Sequence, residues 1–200
     1  MIIGAESAIH LVNFAMFDPP IYVLDSAMEY SYSHVVATLG FALAAGAGYL
    51  AVQRTRRRAW GVIAVVASVL LVDNVTRLHE SVPAWPLVFA PLMLALAIGG
   101  LRIAGRDSAV RVGLSLLFVS LAVHVVVLAG AELGWWPESR QRLDLWRFQA
   151  LIAFKEGTEL AGWLLFAPAL ALLARRQPER PSAASRRPPS SCAAAAGKTT

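Results

Sequence analysis

Two hundred residues with 57% hydrophobic side chains, 16% charged ones and a mean hydropathy of +0.57 exclude an ordinary soluble domain, in which about 25% of residues are charged. The formal charge of +5 does not point to nucleic acid, because the basic residues bracket apolar segments instead of lining one face. The single cysteine, Cys192, excludes a disulfide framework and a thiolate metal site.

Residues 1–28 lack a positively charged leader, carry Glu6 and break at Asp18-Pro19-Pro20, so they are expected to form an extracytoplasmic segment and not a cleaved signal. Within them Ile9, Val12, Phe14, Met16 and Phe17 are apolar, whereas Glu6, His10 and Asn13 are polar. That pattern suits an amphipathic helix lying along the membrane interface, and a plain loop equally.

Residues 29–174 contain five segments long enough to cross a hydrocarbon core of about 30 Å at about 1.5 Å per residue. They fall near 29–53, 59–79, 85–105, 110–133 and 148–174, and arginine clusters, prolines and Gly105-Arg106-Asp107 mark the cuts. The prediction is an all-α integral membrane bundle of five transmembrane helices. Pro91 in the third span is tolerable because neighbouring helices can satisfy the freed carbonyl. Gly40, Gly46 and Gly48 on the first span, and Gly99-Gly100 on the third, are small residues that let helices approach closely.

Charge sets the expected orientation. Arg54, Arg56, Arg57, Arg58, Arg102, Arg106, Arg111, Arg175, Arg176, Arg180, Arg186, Arg187 and Lys198 all fall on one side, accompanied only by Asp107 and Glu179. Thirteen basic against two acidic residues leaves +11 there and −6 elsewhere, which together give the formal +5. By the positive-inside rule the N-terminus lies outside and the C-terminus in the cytoplasm, as for a multi-pass protein of a bacterial inner membrane. Trp85, Trp135, Trp136 and Trp146 would mark the outer interface and Trp60 the inner one. Residues 175–200, rich in Pro, Ser and Arg, read as a disordered basic cytoplasmic tail.

With this orientation, ionisable residues gather toward the outer half. Asp73, Arg77, His79 and Glu80 close the second span, and Lys155, Glu156 and Glu159 open the fifth. Glu132 ends the fourth span, Glu29 and His34 begin the first, and His124 lies near mid-span. A charge at the bilayer centre costs roughly 2.5–3.5 kcal/mol on insertion scales, so such residues mark a candidate site. At about 100° per residue, an unbroken helix would put Asp73, Arg77 and Glu80 within about 60° of one another. Lys155, Glu156, Glu159 and Trp163 form a second stripe by the same arithmetic. The i,i+4 pairs Asp73/Arg77 and Lys155/Glu159 can also neutralise themselves and simply pack, which leaves Glu156 and His124 to be explained.

Several chemistries suit these residue types. Asp73, His79, Glu80, His124, Glu156 and Glu159 are a candidate ligand set for a divalent metal, with Arg77 and Lys155 balancing charge. The di-iron Glu-x-x-His spacing is replaced by Glu156-Gly-Thr-Glu159, and a zincin's second histidine would fall at Pro83. His34, His79 and His124, on three spans, are candidate axial ligands for haem b, the second cofactor choice and the mark of an electron carrier. A proton or ion path has few polar steps in the inner half, mainly Thr38, Ser68, Ser115 and Ser120. No Gly-x-Ser-x-Gly elbow is present for nucleophilic hydrolysis. Expected partners are the lipid bilayer and a membrane protein or second copy, as for a subunit of a larger complex; nucleic acid is not among them.

The runs LLVDNVTRLHES and FKEGTELAGWLL resemble a loosely defined group of small bacterial polytopic membrane proteins. In that group one span ends in an acidic residue, five further residues and His-Glu, and the last span carries Glu-x-x-Glu-Leu-x-Gly. Asp73, His79 and Glu80 match the first element, and Glu156, Glu159, Leu160 and Gly162 the second. The chain departs at Asn74, where a second acid is common, and at Lys155. The resemblance implies that these residues act as one unit, and it implies no activity.

Overall fold

A computed structural model describes residues 1–17, 20–24, 31–81, 85–135 and 146–177, with the backbone alone at 79, 80, 85–87, 131 and 132. Glu29, the 178–200 tail, and the side chains of His79, Glu80 and Glu132 lie outside the described residues. Among those described, all regular structure is helical: α1 (Ile2–Met16), α2 (Tyr32–Thr55), α3 (Arg58–Thr76), α4 (Leu78–Ser81), α5 (Trp85–Ala104), α6 (Ser108–Glu132) and α7 (Trp146–Arg176), with one 3-10 turn at Tyr22–Leu24. Helices α2, α3, α6 and α7 are long and apolar enough to cross a membrane. Among the fully described residues of α5, the predicted third span, Val88–Ala104 form an apolar stretch.

Local chemistry sets the helix ends. The Ser31 hydroxyl accepts from the His34 N–H at 3.4 Å to open α2, and the Asp107 carboxylate accepts from the Val110 N–H at 3.1 Å to open α6. Helix α3 stops at Thr76, three residues before the expected boundary, because Arg77 turns left-handed (φ 60°) and its N–H closes onto the Asp73 carbonyl at 2.7 Å. That conformation costs a residue with a side chain about 1–2 kcal/mol. It also interrupts the helical phase between Asp73 and Glu80, so an angle carried through Arg77 no longer says which way Glu80 faces.

Helices α2, α3, α5, α6 and α7 close into a ring, each packed on the next, and α1 docks on α7. Short connections make α2/α3 and α5/α6 antiparallel neighbours. Gly99 of α5 sits against Ala59, Val62 and Ile63 at the start of α3, so these two helices also run in opposite directions. Gly40 of α2 faces Trp163, and Phe41 meets the same indole edge-on at 4.4 Å. As a result Arg54, Arg58, Arg102, Arg111, Arg175 and Arg176 all share one end of the bundle.

Trp60, Ile63, Leu70, Leu96, Leu117, Phe166 and Leu170 fill the interior, all at most 2% exposed. Apolar residues such as Leu39, Val65, Val75, Leu94 and Val125 cover the outside. In lipid no hydrophobic force distinguishes these two sets, so the ring is held by close packing. Packing is close where α6 crosses α7: a methyl group on Gly113 would stand 2.8 Å from the Phe166 nitrogen and 3.0 Å from the Gly162 carbonyl.

Candidate polar site on the last helix

The N-terminal half of α7 carries a polar stripe that α1 and α6 meet. Lys155 Nζ stands 2.8 Å from Glu156 Oε1 and 3.2 Å from Glu159 Oε2, forming a three-residue ion cluster with side chains 18–29% exposed. Lys155 therefore serves both carboxylates. Sequence spacing suggested only the i,i+4 pair with Glu159, and the structure adds Glu156 to it. From α6 the Ser120 hydroxyl donates to Glu159 Oε2 at 3.4 Å. The fully buried Thr158 hydroxyl turns back onto the carbonyls of Phe154 and Lys155, at 2.9 and 2.8 Å, and so stays out of the cluster.

Helix α1 supplies the part that sequence reasoning missed. Its polar residues do not face water: Glu6, His10 and Asn13 are each only 2% exposed and turn toward the protein. Its apolar residues Ile9, Val12 and Met16 face out, at 41%, 51% and 72%. The helix runs antiparallel to α7. The Ser7 hydroxyl donates to the Ala153 carbonyl at 3.1 Å, His10 Nε2 pairs with Gln149 Oε1 at 3.0 Å, and Phe14 meets Trp146 edge-on at 5.5 Å. A buried polar group left without its partner costs about 1–3 kcal/mol, so the His10–Gln149 bond fixes the register of α1 as well as its position.

Gly157 makes room for this docking. A methyl group there would meet Glu6 Oε2 at 3.1 Å and the Ile3 carbonyl at 3.1 Å. Glu6 is thereby held against the N-terminal half of α7, beside Gly157. A usable signal was present in the sequence: Glu6, His10 and Asn13 recur at helical spacing, and so do Gln149, Ala153 and Gly157 on α7. Read together, these are a polar stripe and a complementary stripe of small and amide residues.

The other predicted residues are distributed as follows. Asp73 is buried on α3, 7% exposed, and its neighbour Asn74 donates to the Thr38 hydroxyl of α2 at 2.6 Å. His34, half-buried, opens α2. His124, also half-buried, lies one helical turn from Ser120 on α6. The α6/α7 register given by Gly113–Phe166, Leu117–Gly162 and Ser120–Glu159 continues to a level opposite Lys155.

Compared with protein-family models, with curated proteins and with solved structures, the chain matches none. Function has to be argued from the site itself. Among the described residues, no three His, Cys, Asp or Glu side chains stand close enough to hold a metal ion. The convergence is of carboxylates with an ammonium and the Ser120 hydroxyl, with the His10–Gln149 pair further along the same stripe. Such groups can hold a polar molecule by hydrogen bonds and charge, or pass protons among themselves.

Proposed function

We propose that the protein is a five-span, multi-pass protein of a bacterial inner membrane, N-terminus outside and C-terminus cytoplasmic, with a polar ligand-binding site toward its outer face. The observation that carries this reading is the meeting of Lys155, Glu156 and Glu159 with Ser120 of α6 and, at Gly157, with the buried Glu6 of α1. Twenty residues separate Lys155 from Arg175, about 30 Å along the helix, which matches the hydrocarbon core. The cluster then sits at the outer boundary of that core, where a ligand can arrive from water and still meet low-dielectric walls. Helix α5 supports five spans, since its 20 residues reach about 30 Å and it packs antiparallel to α3.

Orientation is tested on the tail. In intact spheroplasts Cys192 should resist a membrane-impermeant maleimide and react only after the cytoplasmic side is opened; reaction in closed cells reverses the topology. For the site, protein purified in detergent is examined by elemental analysis, absorption spectroscopy and mass spectrometry of released small molecules. A co-purified metal or polar ligand should be lost in Glu156→Ala while the variant remains inserted and monodisperse. A Soret band would instead assign haem to His34, His79 or His124, and an empty preparation that takes up nothing counts against the site.

A second reading, an accessory subunit of a membrane complex, is favoured by one observation. Ala42 and Gly46 face outward on α2, and nothing lies within 4 Å of where a Gly46 methyl would stand. A partner helix could pack closely there. The same detergent preparation would then run with a stoichiometric second chain.

A further inference from the structure

Away from the polar stripe, at the arginine-rich end of the bundle, a groove of about 460 Å³ is lined by Leu101 of α5 and by Arg111, Leu114, Ser115 and Phe118 of α6. Its size is that of a small-molecule site, about 300–1,000 Å³. Leu101, Leu114 and Phe118 supply apolar wall, Arg111 stands at the end nearest the α5–α6 connection, and the Ser115 hydroxyl donates to the Arg111 carbonyl at 3.0 Å. Arg111 is exposed, and its guanidinium already reaches across that connection to the Gly105 carbonyl. Arg102 and Arg106 are exposed close by, on the residue after Leu101 and in the connection itself. Among the described residues near by Asp107 alone is acidic, and its carboxylate caps α6 through the Val110 N–H.

The geometry points to an anionic phospholipid as the occupant, its phosphate held by Arg111 with Arg102 and Arg106 and one acyl chain lying on Leu101, Leu114 and Phe118. This assignment rests on the membrane reading proposed above. In that reading the groove opens sideways into the bilayer, and its basic end lies at the level of the cytoplasmic headgroups, the anionic leaflet of a cell membrane. Arg111 in the lining, with the exposed Arg102 and Arg106 near by in the chain, and an apolar trough complement a phosphodiester with a chain. A zwitterionic lipid offers the same chain and adds a compensating cation that these arginines would repel. Arginine forks suit phosphate oxygens better than ammonium groups would.

The test uses the full chain in a mild detergent, with native mass spectrometry counting bound lipid during titration by phosphatidylglycerol, by phosphatidylcholine of the same chains, and by glycerol 3-phosphate. One phosphatidylglycerol should be retained at least about tenfold more strongly than phosphatidylcholine. Arg111→Gln should weaken phosphatidylglycerol about fivefold and leave phosphatidylcholine unchanged, the effect of roughly one charge near a headgroup. Ser115→Trp fills the trough without altering charge and should also lose phosphatidylglycerol. Equal retention of the two lipids, or full retention by Arg111→Gln, overturns the proposal. Displacement of lipid by glycerol 3-phosphate at similar concentration makes this a free-phosphate site and likewise overturns it, as does a lipid-independent dimer abolished by Ser115→Trp. Release of the protein from cells in detergent-free buffer would overturn the membrane reading itself; detergent-dependent extraction with no lipid preference overturns the lipid site alone.

Discussion

Gly113→Leu should lower the stability of the bundle by about 3 kcal/mol or more, and even Gly113→Ala should destabilise it by roughly 1–3 kcal/mol, the range for overpacked cores. The sign is the informative part. In an exposed helix alanine is better than glycine by about 1 kcal/mol, so intrinsic preference alone predicts the opposite result. At Gly113 a methyl group would meet the Phe166 backbone nitrogen at 2.8 Å and the Gly162 carbonyl at 3.0 Å. Those atoms belong to the α7 main chain and cannot swing aside as a side-chain tip can, so α6 and α7 would have to separate. Gly46→Ala is the matched control, because nothing lies within 4 Å of the added methyl. It should be neutral or slightly stabilising. Thermal unfolding in detergent, followed by near-UV circular dichroism, distinguishes the two: each kcal/mol moves the midpoint by roughly 2–4 °C in a chain of this size. A Gly113→Ala midpoint at or above wild type would show that the α6/α7 crossing has room for the methyl group.

The same contrast shows how far the sequence could be read. Apolar run length marked where α2, α3, α6 and α7 lie, because burying a backbone in lipid demands long uninterrupted helices. The basic residues at the helix ends predicted which ends lie together, and the structure brings Arg54, Arg58, Arg102, Arg111, Arg175 and Arg176 to one end. Periodicity could not reveal that Arg77 would turn left-handed, since many residue types are tolerated at a helix end. The phase from Asp73 to Glu80 was therefore computed along a helix that stops at Thr76. The polar stripe of α7 was legible, and its opposite wall was not. Glu6, His10 and Asn13 suggested a helix with water on its polar side. A helix whose apolar side meets lipid and whose polar side meets a polar groove has the same pattern, and only the partner, Gln149-Ala153-Gly157, decides between them.

Lys155→Met should cost about 2–3 kcal/mol, and the pattern of its rescue separates a packing device from a binding site. Removing the ammonium leaves Glu156 and Glu159 on one face of α7 without the cation that stands 2.8 and 3.2 Å from them. Breaking a fully buried ion cluster costs about 3–5 kcal/mol; side chains 18–29% exposed keep some water, which lowers the figure. Neutralising the three α7 residues, as Lys155→Met with Glu156→Gln and Glu159→Gln, should return stability to within about 1 kcal/mol of wild type, since removing both signs together leaves no charge among the three to desolvate. If the cluster only holds helices together, this triple variant behaves as wild type in every respect. If it is the ligand site proposed above, the variant melts near wild type yet no longer retains the ligand, because the glutamines keep shape and hydrogen bonding and lose the charge. Thermal midpoint and ligand content measured on the same preparation distinguish the two. A triple variant that stays as unstable as Lys155→Met would show that Lys155 acts mainly through its alkyl stem against neighbouring helices.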